Sequence, residues 1–161
     1  MKNNALASNA AYLGALLFTV LIILFNTIPQ SPVVSIIAVI FHIVLFPVVA
    51  QLPANEWARA AGYGWIVLDI ASNVMLLNHV DENICTALRY GGHIPAAIWI
   101  ISASMGSTGA FRIIGILQAT IMGIYSFIAT WAPMQILYPA MILLIAWFIL
   151  AGRILSKVQS E

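Results

Sequence analysis

Charged side chains are scarce in this sequence, and their scarcity limits the fold class. Asp, Glu, Lys and Arg make up only 7% of the 161 residues, whereas soluble domains carry roughly 25%. Hydrophobic residues make up 63% of the chain, and the mean hydropathy is +1.03. A small soluble domain has a high ratio of surface to volume and could not bury so much apolar surface. We therefore expect most of this surface to face lipid.

Several kinds of site are excluded by what the chain lacks. The single cysteine, Cys85, rules out an internal disulfide and a cysteine-based metal cluster. The net charge of +1 gives no basic surface, so we expect no nucleic-acid partner. The chain has no phosphate-binding glycine loop and no H-E-x-x-H or G-x-S-x-G pattern. A metal site is not expected, because Asp69 is the only carboxylate within a long apolar run.

Apolar runs long enough to cross a bilayer recur along the chain. A spanning helix needs about 20 predominantly apolar residues. Such runs cover residues 7–27, 33–52, 57–77, 84–105, 110–130 and 134–155, here numbered as spans one to six. The predicted fold class is an all-α integral membrane protein, a single polytopic domain over residues 1–161 with six transmembrane helices. No small-residue cleavage pattern follows the first run, so we expect it to be retained.

The basic residues near the span ends predict the orientation. With six spans, one side of the membrane receives Lys2, Arg59, Arg112, Arg153 and Lys157. The opposite side receives Asp81 and Glu82, and its only basic residue is Arg89. Because basic residues favour the cytoplasmic side, both termini are predicted to be cytoplasmic. An alternative with five spans and a re-entrant fourth segment would put the C-terminal basic residues outside. The short loops fit a bacterial inner membrane.

The fifth span contains a stripe of small residues, Gly115, Ala119 and Gly123, spaced four residues apart. Lipid gives no hydrophobic drive for helix association, so close packing through small residues takes over much of that role. The stripe indicates a helix contact within the chain. A homo-oligomer formed through the same three residues is the alternative interpretation.

The most informative residues are polar side chains at mid-membrane depth. Asp69 and Asn73 lie one turn apart in the third span, and Arg89 and His93 lie one turn apart in the fourth. Counting from the short loop between the spans puts Asp69 level with His93, and Asn73 level with Arg89. A charge at the bilayer centre costs on the order of 3 kcal/mol, which favours pairing Asp69 with Arg89 or His93. These four residues are the predicted ligand- or proton-binding site.

Gly91, Gly92 and Pro95 in the fourth span predict a weak point in that helix. Proline removes a backbone donor and clashes with the preceding turn. One interpretation is a broken helix whose backbone lines a cavity. The other is a simple proline kink, which is also expected at Pro47 and Pro139 in the second and sixth spans.

Three more polar residues at mid-depth are possible additional members of the site: His42, Gln118 and Tyr138. A lone histidine on an apolar helix is more often a hydrogen-bonded packing residue. His42 and His93 could in principle ligate a haem between two helices. No spacing rule supports that option, and no cofactor is predicted.

The leading functional hypothesis is a small transporter or solute-binding membrane protein, not an enzyme. Its expected partners are the lipid bilayer and a small polar solute or proton. Arg89 would bind an anionic group, and Asp69 with His93 would carry a coupling proton. The second hypothesis is a non-catalytic accessory or scaffold subunit whose polar pair only fixes packing. The third is a membrane-embedded lipid enzyme with His93 or Asp69 as the acid–base residue.

Overall fold

The computed structural model describes residues 2–157, and within this range every regular element is a helix. The elements are α1 Lys2–Thr27, α2 Pro32–Val44, α3 Phe46–Gln51, α4 Glu56–Leu77, α5 Glu82–Met105, α6 Gly109–Ile128 and α7 Tyr138–Lys157, with a 3-10 turn at Met134–Leu137 before α7. The second predicted span corresponds to α2 and α3 together, and the third to sixth correspond to α4 to α7. The all-α prediction is confirmed, with helix ends within a few residues of the predicted ones.

Five helical segments are long and apolar enough, by length and composition, to cross a membrane. They are Asn4–Thr27, Pro32–Gln51, Glu56–Leu77, Gly109–Ile128 and Met134–Lys157. The remaining long helix, α5, has 24 residues but contains Arg89, His93 and other polar groups that reduce its hydropathy. At 1.5 Å per residue it extends about 36 Å, which exceeds a hydrocarbon core of about 30 Å.

The outside of the bundle is apolar and part of its inside is polar. Phe127, Ile113 and Ile142 on the outer surface are 71%, 67% and 66% exposed. In the described chain the buried polar residues are Ser8, Ser35, His42, Asp69, Ser72, Asn73, Ser104 and Gln118. Soluble monomers rarely expose large apolar patches, whereas lipid solvates them. This distribution is compatible with an integral membrane protein.

A tight turn between α4 and α5 sets these two helices antiparallel and side by side. The backbone N–H groups of His79 and Val80 donate to carbonyls in the last turn of α4, the Schellman arrangement that ends many helices. His79 has a φ of 60°, in the left-handed region where glycine is usual. The Asp81 carboxylate then caps α5 by accepting from the Asn83 N–H at 2.9 Å. Residues at matching distances from the turn therefore face the same depth.

Aromatic rings from four helices form a closed circuit in the core. Neighbouring ring centroids are between 4.8 and 5.9 Å apart. The circuit runs through Phe41, His42, Trp65, Trp99, Trp147 and Phe148. Each such contact contributes about 0.5–1.5 kcal/mol beyond the area it buries. The circuit ties α2, α4, α5 and α7 together and includes the imidazole of His42.

The broken-helix interpretation of the fourth span is wrong. The helix α5 continues without interruption from Glu82 to Met105, through Gly92 and Pro95. A Cβ added at Gly92 would lie 3.4 Å from the Cβ of Leu68, so this glycine lets α5 approach α4 closely. Its small size serves helix packing and does not expose the backbone to a cavity.

The other two prolines sit at helix boundaries. Pro47 lies in the first turn of α3, and the helix of the second span is interrupted at Leu45, just before it. The missing N–H of Pro47 leaves the carbonyl of Ile43 without its usual partner, which explains the break. Pro139 is the second residue of α7, where a missing N–H costs no intrahelical bond. The predicted sixth span therefore changes from a 3-10 turn to an α-helix at this proline, and the kink itself stays a prediction.

The small-residue stripe of α6 is occupied within the chain. A Cβ at Gly115 would overlap the Ser104 hydroxyl and the Trp147 indole, whose Nε1 donates to Ser104 Oγ at 2.9 Å. A Cβ at Gly123 would lie 3.2 Å from the Cβ of Ala97, and Ala119 is fully buried. The intramolecular interpretation of the stripe accounts for these contacts.

We expect Gly115→Ala to destabilise the bundle by about 1–3 kcal/mol, because the added methyl overpacks the junction of α5, α6 and α7. Gly64→Ala is the matched control, since a Cβ there meets nothing within 4 Å. Thermal unfolding of the purified proteins in detergent, followed by circular dichroism, measures the difference. Equal midpoints for the two variants would contradict the packing described here.

Candidate functional site

The carboxylate of Asp69, inside α4, contacts an imidazole from α2. Asp69 Oδ2 lies 3.2 Å from His42 Nε2, and the two side chains are only 4% and 9% exposed. The predicted pairing of Asp69 with Arg89 or His93 is therefore wrong. His42, predicted only as a possible additional member of the site, is the direct partner. The cause is that depth counting from a shared loop does not include α2, which packs on α4 as well.

The imidazole of His42 is held in one orientation. Its Nδ1 lies 2.7 Å from the backbone oxygen of Ala38, one turn earlier in α2. A carbonyl oxygen only accepts hydrogen bonds, so Nδ1 carries a proton and donates it. The rings of Phe41 and Trp65 pack edge-on against the imidazole, with centroids at 4.8 and 5.4 Å. These contacts direct Nε2 toward Asp69.

The contact between Asp69 and His42 requires a proton between the two groups. With Nδ1 already protonated, an unprotonated Nε2 would present a lone pair to the carboxylate, and two acceptors repel each other. One proton therefore lies between Nε2 and Oδ2, bonded to either atom. In both cases the pair has a net charge of zero, which is the arrangement that a low-dielectric interior favours.

Asn73 and Arg89 meet one turn nearer the α4–α5 turn, as their matched depth predicts. The Asn73 amide Nδ2 donates to the backbone oxygen of Asp69 at 2.8 Å, and this bond orients the side chain. Its Oδ1 then accepts from Arg89 Nη2 at 3.3 Å. The Arg89 guanidinium also lies 6.0 Å from the centroid of the Phe25 ring, within cation–π range. No carboxylate in residues 2–157 lies within ion-pair distance of Arg89.

His93 lies beside this pair with unused hydrogen-bonding capacity. Its Nδ1 is sealed from solvent and has no hydrogen-bond partner among the described residues. His93 lies near enough to Asp69, Arg89 and His42 for their electrostatic fields to overlap, so it belongs to the same polar cluster. The ring of Tyr90 packs against it edge-on at 5.7 Å. A buried polar atom without a partner is uncommon in native proteins, so this nitrogen is a candidate for a further hydrogen bond.

Two other predicted residues have different surroundings. Gln118 is buried in α6, where Nε2 lies 3.6 Å from the sulfur of Met122 and Oε1 has no partner among the described residues. Tyr138 is the first residue of α7, is 38% exposed, and donates to Asn26 Oδ1 at 3.2 Å. Tyr138 therefore lies at a helix end, and its predicted mid-depth position is wrong.

A residue that sequence inspection missed is Ser72, whose hydroxyl donates to the backbone oxygen of Cys85 at 2.7 Å and ties α4 to α5. Its position beside Asn73, in a helix turn rich in polar residues, was the available signal.

The haem option fits the geometry poorly, because both ring nitrogens of His42 already have partners.

Comparison with known proteins finds no relative of this chain. No family model, no curated protein and no solved structure matches the chain. Any functional conclusion must therefore come from the chemistry of the cluster itself, which joins α2, α4 and α5.

A double-mutant cycle tests which base is the direct partner of Asp69. We expect Asp69→Ala and His42→Ala to be coupled by about 0.5–3 kcal/mol in the free energy of unfolding, because they remove the same contact. The control cycle combines Asp69→Ala with His93→Ala and should give a smaller coupling. Reversible unfolding in mixed micelles provides the energies. A larger coupling to His93 than to His42 would refute the pairing.

Proposed function

We propose that the chain is a small integral membrane transporter that couples the binding of a proton to the binding of an anionic solute. The supporting observation is the buried 3.2 Å contact between Asp69 and His42. Intramembrane ionisable residues usually belong to functional sites. An imidazole and a carboxylate in contact share one proton between them, so the pair is suited to binding and releasing a proton as a unit.

The charge of the cluster links the two ligands. With the proton in place, the Asp69–His42 pair is neutral, and no other carboxylate in the described part of the chain lies near enough to Arg89 to balance its charge. An anion near Arg89 is then favoured. When the pair loses its proton, its charge becomes negative and balances Arg89, so the same anion is repelled. Proton and anion therefore bind together, which is the thermodynamic basis of symport.

The polar groups around Arg89 supply a place for the solute. A guanidinium presents several N–H donors in a planar fork, and among the described residues the side-chain bond of Arg89 is the one from Nη2 to Asn73. The unpartnered Nδ1 of His93 can add a further hydrogen bond. We assign Arg89 and His93 to the solute, and Asp69 with His42 to the proton.

The proposal includes six spans with both termini on the cytoplasmic side, as in a bacterial inner membrane. The support is that α5 is unbroken, is of spanning length, and packs along α4 from the Ser72–Cys85 bond to the Gly62–Trp99 contact. The connectivity puts Arg112 at the start of α6 and near the same end of the bundle as Arg153 at the end of α7. A re-entrant fourth segment would have to turn back within the membrane.

Cysteine labelling in intact cells tests this topology. In a Cys85→Ala background, Asn78→Cys in the α4–α5 turn should react with a membrane-impermeant maleimide. Ser107→Cys in the α5–α6 turn should react only after permeabilisation, because six spans put it in the cytoplasm. If both cysteines react in intact cells, the fourth segment is re-entrant and the six-span topology is wrong.

Proteoliposomes loaded with a pH-sensitive dye test the coupling. We expect an inward gradient of a transported anion, from a panel of nitrate, phosphate and pyruvate, to acidify the interior. Asp69→Asn removes the carboxylate that shares the proton with His42 and should reduce acidification to that of protein-free liposomes. Arg89→Gln should abolish the dependence on the anion, because the balancing charge is lost.

The matched control for this assay is Glu82→Gln, which removes an exposed carboxylate at the start of α5. It should acidify like the native protein. Acidification by Asp69→Asn at the native rate would show that the pair does not carry the coupled proton. Anion entry without proton uptake in the native protein would equally refute symport.

A structural role for the pair is the second candidate. It is favoured by the position of two cavities in the bundle, one lined by Phe46 and Tyr63 and the other by Trp57 and Arg59, neither of which is lined by Asp69. In that case the chain is an accessory or scaffold subunit, and the native protein gives no anion-dependent acidification in the same assay.

A further inference from the structure

A second polar feature lies at the opposite end of α4 from the α4–α5 turn. A cavity of about 770 Å³ opens where the connection between α3 and α4 meets the last turns of α5. Its polar lining residues are Asn55, Arg59 and Ser102, and its apolar lining residues include Trp57, Ile98 and Met105. The cavity combines the positively charged side chain of Arg59 with an apolar wall, and it is separate from the Asp69 cluster.

Arg59 has more hydrogen-bond donors than the chain satisfies. Its Nε is sealed from solvent and has no partner among the described residues. Its Nη2 reaches the backbone oxygen of Ala54 only at 3.5 Å, the long limit of a hydrogen bond. Within residues 2–157 no carboxylate lies within ion-pair distance, and neighbouring Glu56 is exposed. A partly buried guanidinium whose charge is not balanced by a nearby carboxylate favours an acceptor-rich anion, above all a phosphate.

The apolar wall indicates what carries that phosphate. Trp57, Met105 and Ile98 are 63%, 58% and 38% exposed, so the wall of the cavity continues onto the apolar outer surface of the bundle. A free inorganic anion would gain nothing from such a wall. A phospholipid would place its phosphate on Arg59 and its acyl chain along Ile98 and Met105. Tryptophan and arginine at a helix end are typical of the membrane interface, where lipid headgroups lie.

We propose that this cavity binds the phosphate headgroup of an anionic membrane phospholipid. Arg59 forms charge-assisted hydrogen bonds to the phosphate, and Asn55 and Ser102 supply weaker polar contacts. A bound lipid links the α3–α4 connection to the end of α5. The inference rests only on the membrane location in the proposed function and does not involve the proton on Asp69 and His42.

Native mass spectrometry of the detergent-purified protein tests the site. When phosphatidylglycerol is added, we expect the protein to retain one phosphatidylglycerol molecule, and to retain it more strongly than phosphatidylcholine. Arg59→Gln should weaken this retention by about tenfold, the effect of losing roughly 1.4 kcal/mol of charge-assisted hydrogen bonding. Arg112→Gln is the matched control, because Arg112 is an exposed arginine of α6 that does not line the cavity, and it should retain lipid as the native protein does.

A second variant keeps the test valid if Arg59→Gln fails to fold. Gly106 lines the cavity, and a Cβ there would meet no atom closer than 3.8 Å, so Gly106→Leu fills the space without removing Arg59. It should also reduce retention.

Equal retention by native protein and both variants would overturn the proposal, as would displacement of the lipid by inorganic phosphate, which would assign the site to the free ion. Asp69→Asn should retain lipid normally, which separates this result from failure of the transport proposal.

Discussion

A carboxylate inside an apolar helical bundle must be neutralised, and this requirement organises the polar part of the structure. Asp69 meets it through a proton held against His42 Nε2, which in turn depends on the bond from Nδ1 to Ala38. Because the pair is neutral as a unit, its environment can remain apolar and closely packed. The same neutrality leaves the charge of Arg89 unbalanced within the cluster. The protonation of the Asp69–His42 pair, on α4 and α2, therefore sets the electrostatic potential at Arg89 on α5.

Helix packing is what brings these groups together. Gly62 allows α4 to approach both Trp99 of α5 and Val49 of α3, since a Cβ there would lie 2.8 and 2.9 Å from their side chains. The Schellman turn at His79 then fixes the register of α4 against α5. The aromatic circuit holds the imidazole of His42 between two rings. Small residues thus set the distances between helices, and large rings set the orientation of the base.

The helices and the Asn73–Arg89 contact could be predicted from the sequence, because hydropathy fixes length and a short loop fixes depth. The partner of Asp69 could not. The depth of a residue along a helix follows from counting residues from the loop. The helix that its side chain faces depends on how the whole bundle packs, which counting does not give. His42 therefore looked like an isolated packing residue. The broken-helix interpretation of the fourth span, one of two that the sequence allows, is wrong for the same reason. Gly92 packs against Leu68 of the neighbouring helix, and the local sequence does not reveal that contact.

Stability alone does not explain this cluster. Replacing a buried ion pair by apolar side chains of similar volume is often neutral or stabilising, so a buried pair is weak evidence for a purely structural role. Among residues 2–157 the cluster also leaves the Arg89 guanidinium without a carboxylate and the sealed Nδ1 of His93 without a partner, and both features cost free energy. A ligand that supplies negative charge and an acceptor would remove both costs at once. These two features are the observations that favour the proposed binding role over a purely structural one.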